Sequence, residues 1–266
     1  MASLRFVTVL DNPGSEAQIM IAMVRETEQG LEHKIAIKSY NADISILRVE
    51  NERKILTKLQ GKKGIVKLAK CPSFLLSSSQ LSLEYAIHGD FFTFIEKCKD
   101  DVHPHPITRS HIHQIFDQLI SAVNTVHSFG YVHGDIKPEN ILVYSFDENS
   151  IELRLSDFGA SVECGRMAPM RGTGQYIAPW IKKKKYHTFT GFEDLYALGS
   201  VLVLFMMYVK NRENYPDERK LADRIRLATP KNFPEIIEDF KAIIANETIT
   251  KNTQPDPASN TDSSAS

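Results

Sequence analysis

The periodicity of the apolar residues changes near His88 and Gly89, and this change constrains the fold more than any other feature of the sequence. Before this point, short runs of alternating or β-branched residues predict strands. The predicted strands cover residues 5–10, 18–26, 33–40, 65–69, 74–76 and 81–85. One helix is predicted among them, where apolar residues recur at near-helical spacing at Ile44, Leu47, Ile55, Leu56 and Leu59.

Beyond Gly89 the pattern becomes helical. Amphipathic stretches predict helices over residues 91–97, 110–129, 217–228 and 234–245. We therefore predict an α+β fold with two lobes: a small β-rich N-lobe over residues 1–85, a hinge over 84–89 and a larger helical C-lobe over 90–250. A cleft between two lobes is a common place for a ligand. Residues 251–266 lack apolar anchors and predict a disordered polar tail.

Composition excludes several classes of protein. The 32 basic and 33 acidic residues leave a formal net charge of −1, so the chain has no general electrostatic bias toward nucleic acid or an anionic membrane. Three widely spaced cysteines fit neither a disulfide framework nor a zinc site. We expect an intracellular protein, in the cytoplasm or nucleus, that binds neither nucleic acid nor membrane directly.

The strongest chemical signal is the polar run over residues 131–142, which is followed by Ser156-Asp157-Phe158-Gly159. Phosphoryl transfer requires a carboxylate to accept a hydroxyl proton, a cation near the moving phosphoryl group and oxygen ligands for magnesium. Four residues suit these tasks in order: Asp135, Lys137, Asn140 and Asp157.

These two motifs resemble the catalytic loop and the metal-binding loop of eukaryotic protein kinases. Ile35-Ala36-Ile37-Lys38 is similar to the lysine motif of the third strand, and residues 51–56 resemble the helix that carries its glutamate partner. The resemblance implies that the chain transfers the γ-phosphate of ATP. It also implies that Lys38 holds the α- and β-phosphates, that Glu52 orients Lys38, and that Asn140 and Asp157 bind Mg²⁺, with Mn²⁺ as a substitute.

The same resemblance assigns the nucleotide pocket. Leu83 becomes the gatekeeper, and Ala36 and Leu142 enclose the adenine. The remaining predicted nucleotide-site residues are Gly14, Ile19, Glu84, Ala86 and Asp90. His133 is implied to be a core residue that supports Phe158, together with Leu56.

Serine and threonine are the implied phosphate acceptors. Lys137 and Thr173 resemble the serine/threonine class, and residues 172–179 are similar to the end of a kinase activation segment, which we define here as residues 157–179. We also predict a preference for basic substrates, because Asp90 and Glu139 are implied to lie on the peptide side of the cleft.

Three departures from the family pattern stand out. The loop that covers the nucleotide keeps only Gly14, and Glu16 adds a negative charge beside the phosphates, which predicts weaker ATP binding or slower turnover. Gly134 replaces an arginine that captures an activation-loop phosphate, and residues 163–171 contain no Ser, Thr or Tyr. We therefore expect a kinase that needs no loop phosphorylation. Trp180 replaces a glutamate of the family pattern.

We expect a shortened C-lobe that exposes apolar surface, and we predict that this surface, with Trp180, supports a homodimer; a monomeric mass at micromolar concentration would count against it. The compact chain resembles short kinases of large DNA viruses, particularly the baculovirus serine/threonine kinases. That narrower resemblance implies a host-cell setting and viral structural or basic DNA-packaging proteins as substrates.

Two alternatives remain open. A pseudokinase that binds nucleotide and acts as an interaction scaffold would explain the poor glycine loop, but every group needed for transfer is present. A small-molecule phosphotransferase would share the Asp and Asn of the catalytic loop, but residues 172–179 resemble a peptide-docking segment instead.

Overall fold

The computed structural model describes residues 3–10, 16–25, 30–100 and 102–228, with isolated positions at 232, 235, 236, 238, 239 and 242. The predictions for Gly14 and for the tail at 251–266 lie outside the described residues, and the predicted helix over 234–245 lies largely outside them.

The N-terminal part is a four-stranded antiparallel sheet in the order β1-β2-β3-β4. The strands are β1 (Ser3–Leu10), β2 (Ala17–Arg25), β3 (His33–Tyr40) and β4 (Gln80–Glu84). Helix α1 (Ile46–Leu59) follows β3. The four strands and the helix confirm the predictions made from periodicity to within a few residues.

The alternation of β3 determines what each face of the sheet does. Ile35 and Ile37 are fully buried and form a small cluster with Ala22 and Val24 of β2. Because successive side chains of a strand point to opposite faces, Ala36 and Lys38 point the other way, toward α1 and the main core. The strand therefore supplies a polar group to the interior of the molecule.

Two predicted strands are wrong. Residues 65–69 are extended but form only isolated bridges, between Ile65 and Leu155 and between Leu68 and Leu83. Ser73–Leu75 is a single 3₁₀ turn, in which the Leu75 amide donates to the Pro72 carbonyl at 2.9 Å. Proline fixes a φ angle that suits the start of such a turn, and three apolar residues alone do not specify a strand.

The C-terminal part is mainly helical. Its helices are α2 (Phe91–Asp100), α3 (Arg109–Ser128), α4 (Phe192–Tyr208) and α5 (Pro216–Arg226). Helix α3 begins with a capping box, in which Thr108 and His111 exchange hydrogen bonds. Helix α4 is apolar on nearly all sides and lies in the centre of the lobe, and one apolar core extends from α1 and the sheet to α5.

Three pairs of short antiparallel strands lie beside these helices. β5 (Tyr131–Val132) pairs with β8 (Val162–Glu163), β6 (Ile141–Phe146) with β7 (Ile151–Leu155), and β9 (Met167–Pro169) with β10 (Tyr186–Thr188). Four of them, β5 to β8, bracket the two polar motifs, so the hairpin β6–β7 brings the motifs together. Among the residues described, no helix has the length and apolarity that a bilayer crossing requires.

Candidate active site

A buried lysine joins three elements at the edge of the sheet. Lys38 Nζ of β3 lies 3.2 and 3.0 Å from the two carboxylate oxygens of Glu52 on α1. It also donates to Asp157 Oδ1 at 2.7 Å. Glu52 is fully buried because it occupies the same face of α1 as Val49 and Ile55. The structure therefore places three of the predicted residues in direct contact.

The charges of this group are strongly coupled. Burial alone would lower the pKa of Lys38, but the carboxylates of Asp157 and Glu52 raise it above its ordinary value. Burial raises the pKa of Glu52 to about 7 although Lys38 acts against this. Burial would also raise the pKa of Asp157, but Lys38 overrides it and lowers that pKa to about 2. Lys38 is thus cationic and Asp157 anionic at neutral pH.

Asp157 has an unusual backbone. Its φ of 60° lies in the left-handed region, which costs a non-glycine residue on the order of 1–3 kcal/mol. The contact from Lys38 and a 3.3 Å hydrogen bond from the Gly159 amide hold Asp157 Oδ1 in this conformation. A Cβ on Gly159 would lie 3.2 Å from both Asp157 Oδ1 and the Tyr40 hydroxyl, so a larger residue there would have to displace one of these groups slightly.

A second polar group surrounds Asp135, shortly after β5. The Thr173 hydroxyl donates to Asp135 Oδ1 at 2.8 Å, and Lys137 Nζ lies 3.1 Å from Asp135 Oδ2. Lys137 also donates to Thr173 Oγ1 at 2.9 Å. The Asn140 amide donates to the Asp135 carbonyl at 2.8 Å and to Oδ2 at 3.3 Å. These four predicted residues therefore form one hydrogen-bonded group.

Asn140 links the two groups. The carbonyl of Asn140 accepts hydrogen bonds from the amide of Ser156 at 2.8 Å and from its hydroxyl at 3.0 Å. Ser156 directly precedes Asp157. The predicted proton acceptor, the predicted metal ligands and the buried lysine therefore belong to a continuous set of contacts.

The donor set suits magnesium, which prefers carboxylate and amide oxygens together with water and phosphate oxygens. Both described contacts of the Asp157 carboxylate are made to Oδ1, and the Asn140 side chain donates through its nitrogen. The Tyr40 hydroxyl is buried and has no hydrogen-bond partner among the described residues. Asp157 Oδ2 and the Asn140 amide oxygen are therefore the groups that would hold the ion.

The catalytic loop is anchored by Asp194, which is buried in the first turn of α4. Asp194 accepts hydrogen bonds from the His133 amide at 2.7 Å and from the Gly134 amide at 2.9 Å. His127 Nε2 lies 2.9 Å from the same carboxylate. Sequence reasoning missed this role of Asp194. An acidic residue in the first turn of a largely apolar helix was the available signal.

Comparison with known proteins identifies the family. A model of the protein kinase domain matches residues 13–254. The chain belongs to the protein kinase family. Three of the proteins similar to it carry the name serine/threonine-protein kinase.

The kinase is 28% identical over 252 residues to serine/threonine-protein kinase PKH1 of Saccharomyces cerevisiae; the match covers 85% of this chain and 30% of that protein. It is 31% identical over 190 residues to CBL-interacting serine/threonine-protein kinase 5 of Arabidopsis thaliana; the match covers 65% of this chain and 38% of that protein. It is 37% identical over 142 residues to serine/threonine-protein kinase chk-2 of Caenorhabditis elegans, covering 52% and 29%. The chain thus spans about a third of the length of these relatives.

Side chains of β6 and β7 contact the hinge of the kinase. The Tyr144 hydroxyl donates to the Glu84 carbonyl at 3.1 Å, and Arg154 lies over the Tyr144 ring and bonds the Glu84 carboxylate. The Ala86 carbonyl accepts from the Gly89 amide at 3.2 Å. A carbonyl oxygen has two lone pairs, so Glu84 can still accept from an adenine. Sequence reasoning missed Tyr144 and Arg154.

The other predicted nucleotide-site residues have the following positions. Ala36 pairs with Leu83 across β3 and β4, and Ile19 pairs with Lys38 across β2 and β3. Leu142 is the second residue of β6 and forms a bridge with Asp90. The Asp90 carboxylate accepts from the Thr93 amide at 2.7 Å and so caps α2 as well.

His133 and Phe158 are buried with their rings 4.9 Å apart, and Leu56 is buried in the same core, as predicted.

We predict that Asp194→Asn lowers the free energy of unfolding by about 2–4 kcal/mol, because a neutral amide cannot accept from both loop amides and from His127. Denaturant titration monitored by circular dichroism measures this loss. Asp217→Asn is the control. Asp217 is exposed, and its ion pair with the exposed Lys220, at 3.6 Å, should contribute little to stability. Equal stabilities of the two variants would contradict the prediction.

We also predict that Asp194→Asn changes how the stability of the protein depends on pH. Burial would raise the pKa of Asp194, but the His127 hydrogen bond and the loop contacts lower it. A lowered folded-state pKa stabilises the protein above the ordinary carboxyl pKa, and this stability is lost as the pH falls through the folded-state value. Wild-type stability should therefore decline more steeply on acidification than that of Asp194→Asn.

Proposed function

We propose that this protein is a serine/threonine protein kinase that transfers the γ-phosphate of ATP to protein hydroxyls. One observation carries the proposal: Asp135 is held by Lys137, Thr173 and Asn140, while Lys38 is paired with Glu52. Intact positions for the proton acceptor and for the phosphate-binding lysine are what this chemistry requires. They count against a pseudokinase scaffold.

The residues divide the work as follows. The substrate oxygen attacks the γ-phosphorus, the bond from this phosphorus to the β–γ bridging oxygen breaks, and ADP leaves. Asp135 accepts the hydroxyl proton, and Lys137 places a positive charge beside the transferred group. Lys38, oriented by Glu52, holds the α- and β-phosphates. Asn140 and Asp157 would hold Mg²⁺, which would supply positive charge to neutralise the phosphates.

The choice of serine or threonine rests on Lys137 and Thr173. The 2.9 Å hydrogen bond between them, the 2.8 Å bond from Thr173 to Asp135 and the 3.1 Å contact of Lys137 with Asp135 form a closed triangle. The names of the three relatives support the same class. The viral origin, the location in a host cell and the homodimer stay predictions. For the dimer, the supporting feature is Trp180, which is half-exposed and stacks edge-on against Tyr196.

We predict that Asp135→Asn lowers kcat by about 10²–10⁴-fold, because the amide cannot accept the hydroxyl proton. Transfer of radiolabelled phosphate from ATP to a generic basic protein measures the effect. Asp217→Asn, far from the cleft in sequence and exposed, should match the wild type. Nucleotide binding by the wild type without any transfer would instead support the scaffold alternative.

We also propose that the activation segment needs no phosphate. Backbone bonds secure it: Gly165 N to Phe189 O at 2.7 Å, Phe189 N to Arg166 O at 3.1 Å and Met170 N to Lys185 O at 3.0 Å. Ala168 and Phe189 are buried in a small cluster with Val132 and Val162. Residues 163–171 contain no hydroxyl side chain that could be phosphorylated. Strand pairing supplies the order that phosphorylation supplies elsewhere.

Phosphatase-treated protein should therefore keep at least half of its kcat, because β9–β10 pairing does not depend on a modified side chain. The measurement is the initial rate before and after treatment, with intact mass to confirm that phosphate is absent. A phosphate-free protein that is inert, yet becomes active when an upstream kinase modifies it, would rule out this mechanism.

We propose that the kinase prefers basic substrates. Glu139 is exposed in the catalytic loop, and its negative charge favours basic residues near the phosphate acceptor. Basic DNA-packaging or virion proteins would supply such residues. Asp90 is partly engaged in capping α2. Four exposed lysines at 182–185 lie near the end of the activation segment and would favour the opposite charge.

A degenerate peptide library should show enrichment of Arg or Lys, and Glu139→Gln should reduce that enrichment roughly threefold, because it removes one exposed charge. Glu148→Gln is the matched control, since Glu148 is an exposed carboxylate on the β6–β7 turn. Enrichment of Asp or Glu would overturn the proposed preference and assign specificity to the lysines.

A further inference from the structure

One arginine of α1 contacts two other parts of the cleft. Arg48 Nε donates to the Gly159 carbonyl at 3.0 Å. Its Nη1 donates to Glu16 Oε1 at 2.6 Å, and its Nη2 lies 2.6 Å from Glu16 Oε2. The pair is a two-pronged guanidinium–carboxylate contact, which is among the stronger hydrogen-bonding arrangements of charged groups.

These contacts connect three elements that the reaction needs. Glu16 immediately precedes β2, whose Ile19 pairs with Lys38. Arg48 is on the helix that carries Glu52, one turn away, and Gly159 is two residues beyond Asp157. Asn51, three residues after Arg48, donates to the Ser161 carbonyl at 3.1 Å. The same side of α1 therefore holds the activation segment at two carbonyls.

The surrounding charges favour a carboxylate at this place. Arg171 donates to the Ala160 carbonyl at 3.1 Å, next to the carbonyl that Arg48 contacts. Burial lowers the pKa of Arg171, and the nearby Arg48 and Arg166 lower it further, while Glu16 acts in the opposite direction. Glu16 thus brings negative charge to a group of three arginines.

We propose that Glu16 is a positioning residue that acts through Arg48. Its carboxylate holds the α1 arginine and, through it, the segment after Asp157, which is the task that an activation-loop phosphate performs in a regulated kinase. The inference rests on the proposed kinase function and deepens it. It also revises the expectation that Glu16 simply repels nucleotide phosphates, because Arg48 neutralises its charge.

The test compares three single variants. Glu16→Gln and Arg48→Lys each remove the two-pronged contact, and we expect each to lower kcat about tenfold with little change in the KM for peptide. Glu32→Gln is the matched control, because Glu32, directly before β3, accepts a 3.0 Å hydrogen bond from Arg25 of β2, away from Arg48. The control should stay within about twofold of the wild type.

Ionic strength provides a second measurement. Arg48 and Glu16 are 32% and 51% exposed, so salt should weaken their attraction. The kcat of the wild type should fall toward that of Glu16→Gln as salt rises from about 0.05 to 0.5 M, whereas the variant should respond less. A merely structural role for Glu16 would not produce this convergence.

Hydrogen exchange separates this inference from the proposed function. Amides of residues 157–161 should exchange faster in Glu16→Gln than in the wild type or in Glu32→Gln, without any nucleotide. If the wild type shows no kinase activity but Glu16→Gln still exchanges faster than the wild type, the contact is supported and the proposed kinase activity is rejected. Unchanged exchange together with a kcat within twofold of an active wild type would overturn the role of Glu16.

Discussion

The burial of the Lys38 ammonium is the constraint on which the cleft depends. Lys38 is 5% exposed and Glu52 is fully buried, and a buried charge that loses its partner typically costs about 3–5 kcal/mol. The two partners of Lys38 come from α1 and from the segment after β7. The sheet, the helix and the catalytic half of the molecule must therefore meet before this charge is neutralised.

One ammonium serves two carboxylates, and this imbalance shapes the chemistry of the cleft. Asp157 is held as an anion, whereas the pKa of Glu52 is raised to about 7. The excess negative charge lies at the partly exposed Asp157 rather than at the buried Glu52. A site with this distribution is suited to a divalent cation on its exposed side.

Sequence periodicity predicted the elements that bury one regular face. The alternation in β3 and the apolar spacing in α1 and α3 were sufficient, and motif spacing identified Asp135 and Asp157. Periodicity gave a wrong prediction at residues 65–69, because extended backbone becomes a strand only where a partner strand is in register. It also missed contacts between distant positions: Arg48 and Gly159 are 111 residues apart, and His133 and Asp194 are 61 apart.

The replacement of an arginine by Gly134 has a local explanation. Gly134 has a φ of 81°, and a Cβ there would lie 3.0 Å from the Ala160 carbonyl. Arg171 donates to this same carbonyl, so the activation segment supplies a guanidinium to the backbone group that a Cβ at position 134 would crowd. Arg171 and the β9–β10 pairs bind backbone groups, which no modification alters. The Glu16–Arg48 contact joins two side chains instead, so it is a point at which salt or a change of charge can act on the active arrangement.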